Sequence, residues 1–520
     1  MRGRELTDKD RLTKAELFFI IIAATVTITF ASTCSPLYPF NPWDDANCFF
    51  TLGRGIIHGL VPYRDLYEQK GPLLYFIYAF AALISEKSFI GAWIAECVMA
   101  SVFAIFSWKT VKLFITPPKY SIAMIPFLLS ITYTLEMFNY GGNAEELCFP
   151  LLTVAMYTGL KAIIRADGLP SGKEAFICGI ITGVLFWIKY TFIGFMGGFC
   201  VYILVLTIKR KSFARLWSLV WRFAAGFIVL TIPVLTYFAV TGSLQYLWDA
   251  YFYNVVMYHS ATAKTAAGLE NIPVIKNIYI PVLSLIATSR RYPVYGFMLL
   301  FSMISFVLIL IAGRNHFKKA FFFIGITFVF AAGITFLRPL VIYYYGYILA
   351  YGFGLIMIPV CKGLETLRKT FKENPKFMTG LVFSMFTVFS MVFLLLNKNI
   401  YLIFQKKDYL AQYRYAETIN QTPDAKILTY DLMDCGFYTA AGILPHNRYY
   451  CYLAMEKDFP EILEEQDRLI KEGYYDYIIT SYFCKADWDN YVLVREETDV
   501  HVDYTGEKFK TGFRLYKRTA

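Results

Sequence analysis

The chain has 520 residues, 57% of them hydrophobic, and a mean hydropathy of +0.46, which is too apolar for a soluble globule and fits a polytopic membrane protein. Its net charge of +11 is uneven, with 35 Lys and Arg against 19 Asp and Glu in residues 1–400 but 15 against 20 in residues 401–520. The basic excess belongs to short loops between apolar segments, the mark of a cytoplasmic membrane face; no basic face with interleaved aromatics points to nucleic acid as a partner.

The basic stretch Arg2 to Lys14 precedes an apolar run from Ala15 to Ala31. Thr33-Cys34-Ser35-Pro36 makes a poor signal-cleavage site, so the run reads as a retained first helix with a cytoplasmic N-terminus. The outer loop that follows, residues 34–72, carries Asp44, Asp45, Arg54, His58, Arg64, Asp65, Glu68 and Lys70 beside lipid. Charge held there points to a working site. Phe49, Leu52, Ile56 and Ile57 recur at helical spacing from Asp45 to Gly59, predicting an amphipathic helix along the membrane surface. Asp45 falls near its N-terminus, where free N–H groups favour a carboxylate; the alternative is that Asp44 or Asp45 only caps the helix. Lys70-Gly71-Pro72 opens the next apolar segment, and Lys70 there either binds a phosphate or anchors the helix by snorkelling.

Apolar segments recur at 15–33, 72–86, 88–116, 120–135, 146–164, 175–190, 191–208, 217–240, 293–313, 319–336, 339–361 and 377–397, with a weaker one at 275–289. They predict about 11 to 13 spans. Basic loops at Lys161–Lys173, Lys209–Arg215, Arg314–Lys319 and Lys362–Lys376 are expected inside, which puts 136–146, 189–191, 241–290 and the tail after 398 outside. With 34–71 outside, the segments between 72 and 135 give an awkward number of crossings, so one of them, not identified by sequence, is expected to be a half-span or re-entrant.

In the second outer loop Asn143 suits an N-cap, and Glu145 and Glu146 follow in the first turn beside Gly141-Gly142. One carboxylate is explained by capping; the second leaves room for a role toward substrate. Lys189 interrupts the apolar run 175–208, an expensive position unless it faces water, a carboxylate or a phosphate. Within 242–260, Asn254, Tyr258 and His259 share a face if helical, forming either a sugar or lipid platform or an aromatic belt. Arg338-Pro339, followed by Tyr343, Tyr344 and Tyr345, sets a guanidinium at a helix start, as a phosphate fork or a structural interface arginine.

After Asn397 the composition changes: ILTY (427–430), YDYIIT (475–480) and FRLY (513–516) read as strands and 459–472 as a helix. This divides the chain into a transmembrane part, 1–397, and a small extracytoplasmic α/β domain, 398–520. The ten cysteines show no CxxC and no Cys/His ligand spacing, which excludes metal–thiolate and thioredoxin-like chemistry. A disulfide among Cys435, Cys451 and Cys484 cannot be assigned. Without a Walker A, GxGxxG, HExxH or GxSxG motif in a suitable context, nucleotide-driven pumps, zinc proteases and serine hydrolases have no support.

Taken together, Asp45, Phe49 and Gly53, then Gly59, Pro62, Tyr63 and Asp65, then Lys70, Gly71 and Pro72 resemble the first outer loop of the GT-C fold polyprenyl-phosphate-sugar glycosyltransferases. That superfamily includes protein O-mannosyltransferases and aminoarabinose transferases, and the likeness is to its bacterial members. The Gly141–Glu146 run, the spacing of Gly183, Lys189 and Thr191, and Tyr343–Tyr345 extend the likeness over residues 15–361. The resemblance implies a GT-C-like helical membrane protein that moves a sugar from a polyprenyl-phosphate donor to a cell-envelope glycan, lipid or protein, with inversion. It implies Asp45 as general base. Many relatives have an acidic residue right after that aspartate, and Ala46 stands there, which keeps Asp44 as understudy. Lys70, Lys189 and Arg338 would bind the donor phosphate; Tyr63, Asp65, Asn143, Glu145, Glu146, Asn254, Tyr258 and Tyr344 would line the substrates. Carboxylates at Asp44, Asp45, Glu145 and Glu146 could hold a divalent metal, but carboxylates alone do not establish a site. The alternative is a transporter or flippase for a lipid-linked or anionic substrate, whose paired discontinuous helices would leave a pseudo-repeat; none is found.

Overall fold

The computed structural model describes residues 11–138, 140–165, 167–254, 300, 307, 317–335, 347–370, 374–452, 459–484, 487–502 and 508–519. The membrane part is built from α1 (Lys14–Ala31), α2 (Asp44–Ile57), α3 (Pro72–Ile84), α4 (Ile90–Phe114), α5 (Met124–Tyr133), α6 (Ala144–Ile164), α7 (Gly172–Lys189), α8 (Ile193–Lys209), α9 (Phe213–Val240), α10 (Phe317–Thr335), α11 (Tyr347–Thr370) and α12 (Pro375–Leu395). Six helical stretches, 14–31, 90–114, 144–164, 172–209, 213–240 and 376–395, are long and apolar enough to cross a bilayer by length and composition.

Side-chain and backbone bonds sort the helix ends onto two faces. At one, Lys112 Nζ lies 3.2 Å from Glu16 Oε2 and Tyr120 donates to Glu365 Oε2 at 2.9 Å. This joins the start of α1, the end of α4, the turn before α5 and the end of α11. At the other, the Thr33 N–H donates to Tyr140 O at 2.7 Å, Arg64 Nη1 to Thr241 O at 3.1 Å, Gly71 N to Ile188 O at 3.0 Å and Asn399 Nδ2 to Ala31 O at 2.9 Å. Helix α3 begins at this second face beside Ile188, and the turn after it stays there, with Glu86 Oε2 2.8 Å from His58 Nε2. Its 13 residues span only about 20 Å at 1.5 Å per residue. It therefore lies along one face without crossing, and removing it from the count resolves the awkward path between 72 and 135.

Helix α6 is the centre of the bundle, with 83% of its apolar window buried, whereas α9, at 17%, is left largely uncovered by the described residues. Helices α7 and α9 meet backbone to backbone: a Cβ on Gly179 would stand 2.0 Å from Phe223 O, and one on Gly226 2.1 Å from Phe176 O. Small residues permit this approach, the usual basis of helix association in lipid.

Beyond Asn397 come α13 (Ala411–Ile419), β1 (Ile427–Tyr430), α14 (Phe437–Ala441), α15 (Glu461–Lys471), β2 (Tyr477–Ser481), β3 (Tyr491–Val502) and β4 (Lys508–Arg518). The sheet order is β1-β2-β4-β3, with β1 and β2 parallel and the other pairs antiparallel. Leu428, Leu469, Ile470, Tyr475, Ile478, Tyr491 and Tyr516 form a core of their own beneath α15.

Candidate active site

Trp43, with extended backbone (ψ 117°), is the N-cap residue of α2 and gives no side-chain cap. Neither aspartate caps the helix; Asp44 and Asp45 occupy its first turn, where N–H groups and the helix dipole favour negative charge. The two carboxylates diverge. Asp45 Oδ1 stands 3.9 Å from Lys70 Nζ, with Asp45 one-quarter exposed. Asp44 turns toward the tail domain, bonding with Cys435, and burial together with nearby Asp45 and Asp434 pushes it up to about 6.

The 58–71 turn joins α2 to α3, and its conformation sets where Lys70 lies. Tyr63 adopts a left-handed backbone (φ 67°), and its hydroxyl donates to Lys70 O at 2.6 Å. Asp65 accepts from the Val61 N–H at 2.7 Å and pairs with Arg64 at 2.8 Å; burial opposes this, but those bonds hold it below the usual carboxylate range. Glu68, 2% exposed, accepts from the Lys70 N–H at 2.8 Å and from the Tyr75 hydroxyl, and its Oε1 lies 3.5 Å from Lys70 Nζ. Phe49 supplies an aromatic face 5.5 Å from that ammonium. Lys70 thus stands between two carboxylates and a ring, its backbone held by two tyrosines and a glutamate.

Gly71 is where the turn meets the end of α7. Its N–H donates to Ile188 O, and a Cβ there would fall 2.0 Å from Trp187 O. The turn can thus lie directly on the end of α7, whose last residue is Lys189. Lys189 breaks the helix (φ −156°, ψ 96°) and forms a buried ion pair with Glu145. Glu145 opens α6 beside Glu146, which accepts from the Asn143 N–H at 2.9 Å, closing the cap expected there. Asn143 donates its amide to Phe138 O at 2.5 Å. Asn254 donates to the OH of Tyr67, a residue of the same turn, at 2.9 Å. Arg338, Tyr258, His259 and Tyr343–Tyr345 lie outside the described residues.

Three buried charged residues in this region were not singled out as ligands by the motifs. Glu68 sat inside the motif-bearing loop without a role. Glu96, 2% exposed on α4, accepts from the Gly142 N–H at 2.5 Å; a lone carboxylate inside the apolar run 90–106 was the available signal. Arg54, 3% exposed, donates to Tyr438 O at 3.1 Å, while Thr51 donates to Asp434 at 2.5 Å. These last contacts, with Arg448 Nε to Tyr63 O at 2.8 Å and Tyr67 N to Arg448 O at 2.9 Å, seat the tail domain on α2 and the 58–71 turn. Among the described residues no group of three or more His, Cys, Asp or Glu is arranged to hold a metal ion.

No family model matches this sequence, and no curated protein does so. Among solved structures, the crystal structure of ArnT from Cupriavidus metallidurans bound to undecaprenyl phosphate is similar over 96% of this chain and 98% of that chain, with a TM-score of 0.52 and 11% identity. At that identity the likeness is one of fold: the chain has the GT-C architecture expected from its first-loop motifs, helical bundle and small C-terminal domain together.

Proposed function

We propose that the protein is a membrane glycosyltransferase that takes a sugar from a polyprenyl-phosphate donor and delivers it to a cell-envelope acceptor. The observation that carries this reading is the Asp45–Lys70 pair, 3.9 Å apart, with Asp45 in the first turn of α2 and Lys70 on the turn seated against the end of α7. A base and a cation at that spacing can serve the two ends of one displacement. An acceptor hydroxyl loses its proton to Asp45 as its oxygen attacks the anomeric carbon. The bond to the phosphate oxygen breaks on the opposite face, inverting the centre, and the electron pair leaves with the lipid phosphate. That group needs charge stabilisation more than protonation, which Lys70 supplies directly. Lys189 joins it by exchanging Glu145 for phosphate, and Arg338 is proposed as a third cation. Tyr63, Asp65 and Glu68 hold the turn, and Glu145, Glu146, Asn143 and Asn254 border the space for sugar and acceptor.

The fold shared with a protein crystallised with undecaprenyl phosphate supports the donor class. The face carrying the site is proposed to be extracytoplasmic, because the basic loops around Lys112, Arg165, Lys211 and Lys369 gather at the other face. Purified protein incubated with labelled undecaprenyl-phosphate sugar and envelope fractions tests the reading. Label moved to an acceptor, with release of the lipid phosphate, supports it; movement of intact lipid-linked sugar across a vesicle membrane without bond cleavage overturns it in favour of a flippase.

A further inference from the structure

We propose that Cys48 and Cys451 are a disulfide-forming pair that locks the aspartate-bearing helix α2 to the tail domain. The two residues are 403 positions apart, yet their Sγ atoms lie 4.0 Å from each other. Both are fully buried, at 0% exposure, so nothing but protein surrounds the contact. A disulfide holds its sulfurs at about 2 Å, so the two sulfurs, 4.0 Å apart, have about 2 Å to close. Cys48 lies one turn beyond Asp45 on α2. Cys451 follows Tyr450, whose hydroxyl reaches Cys48 O at 3.5 Å, and its carbonyl accepts from Gln466 Nε2 at 3.5 Å. The pair is therefore fixed from both sides, and with no metal-ligating cluster among the described residues a shared metal does not account for it.

The chemistry is thiol–disulfide exchange with a disulfide-bearing oxidant. One cysteine thiolate attacks the oxidant's S–S bond and expels one thiol; the second cysteine attacks the resulting mixed disulfide and expels the other. Both cysteines are oxidised, the oxidant is reduced to two thiols, and the two cysteine protons end on those thiols. In the closed protein, contact with Cys451 and burial keep the Cys48 thiol well above its ordinary range, and burial raises Cys451. Exchange therefore takes place while the tail domain is lifted from α2, during folding or opening, and the bond traps the closed arrangement. Cys435 lies in the same interface beside Asp44, and is the rival partner for either sulfur.

The test uses the full chain with a protease site inserted between the exposed residues Lys406 and Lys407. After treatment with oxidised glutathione and cleavage, the two fragments are expected to run as one species without reductant and to separate with dithiothreitol. Peptide mass mapping of the chain without the inserted site should show Cys48 and Cys451 peptides joined, two hydrogens lighter than their sum. Cys48→Ser and Cys451→Ser should each abolish the link, and Cys435→Ser should keep it. Separation before reduction, with Cys48 and Cys451 both alkylated after unfolding, overturns the proposal, as does a link that survives in Cys48→Ser. The readout is a mass and does not depend on sugar transfer.

Discussion

Replacing Gly71 with Ala adds one methyl group where the structure has no room for it. The new Cβ would lie 2.0 Å from Trp187 O and 2.4 Å from its carbonyl carbon, whereas unbonded heavy atoms rest near 3.5 Å. The backbone φ at Gly71 is −69°, ordinary for alanine, so the effect is purely one of contact. The turn must retreat by about 1 Å or more. That lengthens or breaks the Gly71 N–H bond to Ile188 O, worth about 0.5–1.5 kcal/mol, and it carries Lys70 away from Asp45 and from the end of α7. A displacement of about 1 Å in a positioned group can cost roughly 100-fold in rate. The expectation is a fall in transfer of about that size with a modest drop in melting temperature, read by labelled-donor turnover and by thermal unfolding in detergent. Gly325→Ala is the control, because nothing lies within 4 Å of a Cβ there; it should leave both measurements unchanged. If Gly71→Ala turns over like the parent, the seating of the turn on α7 does not set the position of Lys70.

Lys189→Met should destabilise the protein by about 3–5 kcal/mol, because it leaves Glu145 charged and buried; adding Glu145→Gln should restore much of the melting temperature while transfer stays low. Thr51→Val removes the 2.5 Å bond to the buried Asp434 carboxyl and should cost about 1–3 kcal/mol, seen as faster protease cleavage near residue 406. The pH dependence follows from Asp44 and Asp434, both raised by burial to about 6 from an unfolded value of 3.8. A carboxyl whose folded pKa is raised binds its proton more readily in the folded state, so its contribution is fully present below about 3.8 and is lost as pH rises through about 6. The tail–α2 interface should therefore tighten between pH 7 and pH 5, slowing hydrogen exchange in α2; exchange that speeds up on acidification would contradict this.

The residues of the candidate site stand out in the sequence because they are charged where charge is costly. The amphipathic spacing from Asp45 to Gly59 corresponds to α2, β1 and β4 contain the strands expected at 427–430 and 513–516, and β2 overlaps the one expected at 475–480, starting two residues later. Strand β3 was not foreseen, because Arg495, Glu496, Glu497 and Asp499 give it the look of a solvated loop. It lies at the sheet edge, where charged residues are favoured because they discourage pairing with another chain. A segment between 72 and 135 that does not cross was expected, but which one was not legible: the composition of α3 matches a crossing helix, and the bonds made by the turns at its two ends reveal that both lie at one face. Pairing of Lys189 with Glu145, and the role of Glu68 in holding Lys70, depend on contacts between segments that sequence spacing does not record.

The most direct test of the account is turnover of labelled undecaprenyl-phosphate sugar by Asp45→Asn beside Asp44→Asn, with undecaprenyl phosphate binding measured in parallel. Transfer abolished in Asp45→Asn with binding retained, and largely preserved in Asp44→Asn, is the predicted result. Transfer that persists in Asp45→Asn and disappears in Asp44→Asn would contradict it, moving the base to the carboxylate that faces the tail domain.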